Sequence, residues 1–244
     1  MPLPKIATPQ YTLDLPSTGK SIKYRPFLVK EEKILILALE SEDVIQITSA
    51  IKQILKDCII TKGIKVEELP TFDIEYIFLN VRGHSVGEAI ELIVTCSDDG
   101  TTEVPVKIYI DEIQVQKDPN HSTDINLGDG LVLRMKYPSL NEFIANNFDF
   151  SSKKNSSTEQ INKSFDIVSS CIDIVFNADE SWAAADCTKK ELNDWIETLT
   201  PQQFQEVEKF FNTMPKLAHT FKVTNPNTKK ESEVTLEGLT SFFG

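Results

Sequence analysis

The stretch RGHSVGE, residues 82–88, sets His84, Ser85 and Glu88 close together, and hydrolases use these residue types as base, nucleophile and orienting acid. Adjacency along the chain is not the requirement, however. The three side chains must meet in space, with the acid orienting the base. With Gly83 as a helix stop, the simpler reading is a loop after a helix, His84 facing solvent. A small hydrolase acting through His84, Ser85 and Glu88 stands as the alternative from another functional class. The stretch DLPSTGKS, residues 14–21, has the Gly-Lys-Ser of a phosphate loop. Asp14 stands where that loop needs Gly, and Pro26 bars the helix that should follow, so a Gly turn between two extended segments is expected. His84, His121 and His219 lie far apart, in neither an HxH nor an HExxH spacing. SDDG, residues 97–100, starts like a calcium loop, but the place for its closing Glu falls near Ile108 and Tyr109.

The segments IVTCSDDGTTEVPVKIYIDEI and FKVTNPNTKKESEVTLEGL share a plan: strand, polar turn, strand, then a short acidic and apolar stretch. Both turns have the layout of a zinc-ribbon tip. A tetrahedral zinc site needs four good ligands. The first tip supplies only Cys96 and the second none, so both are expected as metal-free hairpins, and no cofactor is expected. Cys58, Cys96, Cys171 and Cys187 are scattered through mostly apolar segments, and MPLPKIATPQ lacks the apolar core of a signal peptide. Reduced, buried thiols of an intracellular protein are the expectation. The carboxylate pairs Glu31–Glu32 and Glu67–Glu68 read as solvated helix faces. These patterns point to a protein that is not an enzyme.

The elements that must position these residues come from a chain of 244 residues, 40% apolar and 25% charged, long enough to bury a sizeable core. Its net charge of −12 makes nucleic acid a poor partner, because an acidic surface repels phosphates. No apolar run approaches the roughly 18 residues of a membrane span. Residues 1–20 are Pro-rich and read as an extended arm, followed by a short strand in SIKYRPF. Lys30 to about Ile60 reads as helix broken near Ser41, which is placed to cap the second half. Thr71 is placed to cap a further helix, FDIEYIFLNVRG, that Gly83 ends. From Glu88 the period changes to strands: one hairpin flanks SDDGTTE and another flanks Gly128, Asp129 and Gly130.

After Pro138, Ser139 and Glu142 have capping-box spacing for a helix. Residues 151–157, SSKKNSS, are the most linker-like segment. Ser157 and Gln160 are placed to cap a helix carrying Ile161, Phe165, Val168, Ile172 and Val175. Thr188 with Glu191, and Thr200 with Pro201 and Gln203, open two more. The tail returns to a β-hairpin. The expected fold class is therefore α+β: a helical N-terminal part with a small antiparallel sheet of hairpins, then a mainly helical C-terminal part ending in a β-hairpin. The expected domains are 1–150 and 158–244, joined by the linker 151–157.

Apolar surplus on helices stands out against this frame. ILILAL, residues 34–39, is apolar without a break behind the charged Arg25, Lys30, Glu31, Glu32 and Lys33. Such a helix is either central in the core or covered by a partner. The sets Ile34, Leu37 and Leu35, Ile36, Leu39 point in different directions, so one packing face cannot cover both. Phe210, Phe211, Phe242 and Phe243 repeat the pattern near the C-terminus. The candidate partner-binding residues are Arg25, Phe27, Lys30, Glu31, Glu32, Ile34, Leu35, Phe210, Phe211, Phe242 and Phe243.

LPSTGKSIKYRPFLVKEEKILILALES, followed by FDIEYIFLNVRGHSVGE and closed by LEGLTSFF, resembles the baseplate hub and hub assembly proteins of T-even-type contractile-tail phages. The similarity runs from Pro16 to Phe243. It implies a non-enzymatic hub subunit or hub assembly factor, with baseplate hub and tape-measure proteins as partners. The alternative within that class is a transient chaperone of the tape-measure protein, absent from the virion. The resemblance also implies location in the host cytoplasm during assembly, with the virion tail baseplate as the other location. On this reading the charged residues orient the helix against a partner or the adjoining hairpin, and ILILAL forms the buried centre.

Overall fold

A computed structural model describes residues 6–41, 43–140, 165–238 and 241. The chain divides into two compact units. The first holds Met1–Val66, Phe72–Gln116 and Lys216–Gly244; the second holds Glu67–Thr71 and Lys117–Pro215. The expected linker at 151–157 and the expected caps at Glu142, Ser157 and Gln160 lie outside the described residues.

In the first unit, β1 (Tyr11–Asp14) and β2 (Ser21–Tyr24) form an antiparallel hairpin. Helices α1 (Val29–Glu40) and α2 (Val44–Cys58) follow. Ser41 closes α1, its hydroxyl donating to the Ala38 carbonyl at 2.6 Å, while Asp43 caps α2 by accepting the Ile45 amide at 2.8 Å. Where α2 ends, the chain runs back along β2, with the Ile60 amide donating to the Lys23 carbonyl at 2.8 Å. Helix α3 (Thr71–Val86) leads into the hairpin β3 (Ala89–Thr95) and β4 (Glu103–Tyr109). A three-stranded sheet is ordered β11 (Glu231–Glu237), β10 (Lys216–Thr224), β5 (Gln114–Gln116). Alternation along these strands sends Ile90, Leu92, Ile108 and Leu217 into one core with Leu79 of α3 and with Ile110 and Ile113.

In the second unit a four-stranded sheet is ordered β6 (Asp124–Gly128), β7 (Leu131–Met135), β8 (Ile172–Phe176), β9 (Ser181–Ala183). Helices α4 (Lys189–Ile196) and α5 (Pro201–Thr213) bury Ile196, Val207 and Phe210 with Ile125, Leu133 and Val175 of the sheet. Both helices open on reciprocal capping boxes. Thr188 Oγ1 accepts the Glu191 amide and Glu191 Oε2 accepts the Thr188 amide, and Thr200 and Gln203 do the same. The Gln203 side-chain amide also donates to the Leu127 carbonyl at 2.6 Å, tying α5 to β6.

The mainly helical C-terminal part is overturned. The fold is mixed α/β: beyond residue 164 the described chain holds not only α4 and α5 but also β8, β9, β10 and β11. The helix expected through Val175 ends at residue 170. The Ser169 and Ser170 hydroxyls donate back to the carbonyls of Asp166 and Ile167, at 3.0 and 2.8 Å, in its last turn. Ile172, Ile174 and Val175 then pair with β7, opposite Met135, Arg134 and Leu133. The spacing of Val168, Ile172 and Val175 suits a helix, but β-branched side chains beside a free ladder edge settle as a strand. The expectation of four buried thiols also needs correction, since Cys187 is exposed while Cys58, Cys96 and Cys171 are buried; none of the four is in a disulfide.

Helix α3 runs through Gly83 to Val86, and Gly83 serves packing rather than termination. A Cβ on Gly83 would lie 2.8 Å from Ile110 Cδ1, so the missing side chain lets Ile110 close onto the helix. Gly83→Val is expected to lower the unfolding free energy by about 1–3 kcal/mol through overpacking. Ile110→Val removes the struck methyl, so in a double-mutant cycle by urea denaturation the two changes should couple favourably. Simple additivity of the two losses would show that the contact does not govern this site.

Candidate interaction surface

The N-terminus of α1 is built around a charge that does not reach solvent. Glu31 is 1% exposed. Its Oε1 lies 2.9 Å from Arg25 Nη2 and 3.1 Å from Lys30 Nζ, and its Oε2 accepts the Leu28 amide at 2.7 Å. Leu28, the residue before the helix, has no polar side chain to cap it, so Glu31 reaches back to satisfy its amide. Burial by itself raises the Glu31 carboxyl, but the hydrogen bonds from Arg25, the Leu28 amide and Lys30 outweigh it and bring it down to about 2. Arg25 also donates to the Pro26 carbonyl at 2.9 Å, and its amide donates to the Cys58 carbonyl at 3.0 Å. Glu31 therefore joins α1 to the end of the adjoining hairpin and to the end of α2.

With Glu31, Leu35 and Ala38 turned inward, Leu39 is half-buried and Ile34, Ile36 and Leu37 face outward, so ILILAL is not the buried centre expected of it. Ile34 is 38% exposed, Ile36 50% and Leu37 56%, and Val29 at the start of the helix is 79% exposed. Ile34, Leu37 and Ala38 also line a shallow, open groove of about 420 Å³ whose other wall is Gln46, Ser49, Ala50 and Gln53 of α2. Its polar lining is uncharged. Gln46 is tied to Asp43 at 3.0 Å and Gln53 to Asp57 at 3.2 Å along their own helix. The groove is apolar with uncharged polar edges, which suits contact with apolar side chains.

The other candidates fall in different places. Phe27 and Leu35 are buried, Arg25 and Glu32 half-buried, and Lys30 exposed. Phe210 sits in the core of the second unit, with Phe211 packed against that core. Phe242 and Phe243 lie outside the described residues. The apolar residues most open on α1, Val29, Ile36 and Leu37, were not among those candidates. The signal for them was the unbroken apolar run, which exceeds what one buried helix face can absorb.

The hydrolase cluster does not assemble. Ser85 Oγ donates to the Val81 carbonyl at 2.5 Å and accepts the Phe27 amide at 2.9 Å. His84 Nδ1 lies 2.9 Å from the Asn80 carbonyl and 3.1 Å from the Tyr24 hydroxyl, and its ring centroid is 3.8 Å from that of Tyr11. Neighbouring positions on a helix diverge, so the two side chains serve different partners. Among the described residues, no group of three or more His, Cys, Asp or Glu side chains is arranged to hold a metal ion. No helix among them is long and apolar enough to cross a membrane.

Over residues 8–244 the chain matches the family described as T4 bacteriophage base plate protein, and it belongs to that family. No curated protein and no solved structure matches it.

The buried pair generates a pH-dependent expectation. Because the folded carboxyl of Glu31 sits at about 2 against an ordinary 4.5, its contribution is fully present above about pH 4.5 and is lost as pH falls toward 2. Glu31→Ala should cost about 3–5 kcal/mol at pH 7, because it leaves Arg25 partly buried without its partner. The gap between wild type and Glu31→Ala, read by urea unfolding at pH 7 and pH 3, should narrow in acid. A gap unchanged between the two pH values would contradict the pairing.

Proposed function

We propose that this baseplate protein works without catalysis, as a hub subunit or hub assembly factor, by binding other tail proteins through the outer face of α1 and the α1–α2 groove. The observation that carries the reading is the outward Ile34, Ile36 and Leu37 on a helix whose other face is anchored by Glu31, Leu35 and Ala38. Soluble chains often expose single apolar residues, but here Ile34 and Leu37 cluster beside the groove, with Ile36 further round the helix beyond the exposed Lys33 and Glu40. Covering each such side chain contributes about 1.5–3 kcal/mol when burial is complete. Hub and tape-measure proteins are the proposed partners. Among the residues singled out from the sequence, Ile34 lies within the proposed contact and Lys30 at its charged end; Glu31 and Leu35 form the buried side of the same helix.

Replacing Ile36 and Leu37 together by Lys tests the proposal. Since both are half exposed, the variant should keep its circular dichroism and unfold within a few degrees of wild type, as surface changes usually do. In infected cells supplied only with the variant, baseplate formation and particle yield should fall to background. Wild-type particle yield would refute a role for this face. Mass spectrometry of purified virions beside infected-cell lysate separates the finer roles: a hub subunit is present in both, an assembly factor or tape-measure chaperone in lysate alone.

A further inference from the structure

We infer that the tips of the β3–β4 and β10–β11 hairpins form a facing pair of metal-knuckle turns in which side-chain hydrogen bonds between the tips stand where bonds to a tetrahedral metal would be. The turns have the same backbone design. In the first, the Cys96 amide donates to the Thr102 carbonyl at 2.8 Å and the Gly100 amide to the Cys96 carbonyl at 2.9 Å. In the second, the Asn225 amide donates to the Lys230 carbonyl and the Lys229 amide to the Asn225 carbonyl, both at 2.9 Å. The fifth residue of each is left-handed: Gly100 with φ 67° and Lys229 with φ 61°. A lysine held there is uncommon and shows that the turn geometry is imposed on the sequence. Knuckle turns of this spacing present their first and fourth side chains to a common point. Here those positions are Cys96 and Asp99 in one tip, Asn225 and Thr228 in the other.

The tips meet through Asp99, Asn225 and Thr228 of this set, and through Asp98 beside it. Asn225 Nδ2 donates to Asp99 Oδ2 and to Asp98 Oδ1, both at 2.9 Å, and the Thr228 hydroxyl donates to Asp98 Oδ2. Asn227 Nδ2 reaches Thr102 Oγ1 at 3.0 Å. Asn225 and Cys96 are each 0% exposed. The oxygen of Asn225 accepts the amides of Asn227 and Thr228, at 2.8 and 3.2 Å, so its donors are free to point across the gap. A neutral amide and a hydroxyl facing two carboxylates complete the contact without a cation. Hydrogen bonds from Thr102 to Asp99, and from Thr228 and Asn225 to Asp98, hold both carboxyls below the ordinary range, so the clasp stays ionised at neutral pH. Among the described residues no strand ladder joins β3–β4 to the β11–β10–β5 sheet; they share an apolar core, and the clasp adds a polar link at the tips.

The β1–β2 hairpin is a comparison within the same chain. LPSTGK repeats the plan of NPNTKK, with the Leu15 amide donating to the Lys20 carbonyl at 3.0 Å and the Gly19 amide to the Leu15 carbonyl at 2.7 Å. Its Ser17 is held by the buried carboxylate of Asp73, through the Ser17 amide at 3.0 Å and its hydroxyl, instead of by a second tip. The turn alone does not make a clasp; the facing partner does.

Two experiments on the full chain test the inference. First, Asp99→Cys, Asn225→Cys and Thr228→Cys, combined with native Cys96, should convert the clasp into a four-thiolate site. It should bind one cobalt ion per chain with the absorption of tetrahedral cobalt thiolate and exchange that ion for zinc. Folding only in the presence of metal would support the geometry equally. A folded variant that takes up no stoichiometric cobalt would overturn it. Second, Asn225→Ala in the otherwise native chain should speed amide exchange roughly tenfold or more at Gly100 and Cys96 as well as at Lys229, since a cross-tip hydrogen-bond set is lost. Faster exchange confined to the second tip would overturn the coupling, and this readout holds even if the triple variant does not fold.

Discussion

A carboxylate shut away from water persists only where donors surround it, and Glu31 meets that condition with donors from the end of the β1–β2 hairpin and from the start of α1. Arg25 comes from the end of the β1–β2 hairpin, the Leu28 amide from the start of α1, and Lys30 from the first helical turn. Cys58 at the end of α2 accepts the Arg25 amide. The ionised group therefore ties the hairpin to α1, and the Arg25 backbone ties the same point to the end of α2. Asp73 and Asn225 follow the same rule at two hairpin tips, each fully buried and each occupied by donors or acceptors from a neighbouring element. The first unit combines an apolar core under its sheets with polar fastenings at its turns.

Anchoring α1 in this way has a consequence for its far side. A helix advances 100° per residue, so once Glu31, Leu35 and Ala38 define the inner face, Ile34, Ile36 and Leu37 cannot also turn inward. Their exposure follows from how the helix is held. Under the proposed function, apolar side chains on a firmly anchored helix would give a partner area to bury at little cost in ordering.

Much of the local structure was legible before any coordinates. The boxes Thr188–Glu191 and Thr200–Gln203 need only residues three apart, and both helices begin where those pairs stand. The hairpin around SDDGTTE and the one around Gly128 to Gly130 are marked by alternation and by turn residues. Where a competing signal was equally local, the reading failed. Gly83 has the look of a helix stop, yet its role is set by Ile110, a residue beyond β4. Asp43 rather than Ser41 caps α2, because the Ser41 hydroxyl is spent on the Ala38 carbonyl.

The chain by itself determined its family wording, its caps, its hairpin turns and the excess of apolar residues in ILILAL, since each rests on neighbours within a few positions. Tertiary structure alone decided that Ile172–Phe176 is a strand, that Glu31 is an internal charge and that Ile36 and Leu37 face outward. It also brought Asn225 to Asp98 and Asp99, more than a hundred positions away. The reason is common to all of these. A hydrogen bond within one turn is encoded where it forms, whereas a ladder edge, a buried counter-charge or a facing turn exists only after distant segments have met.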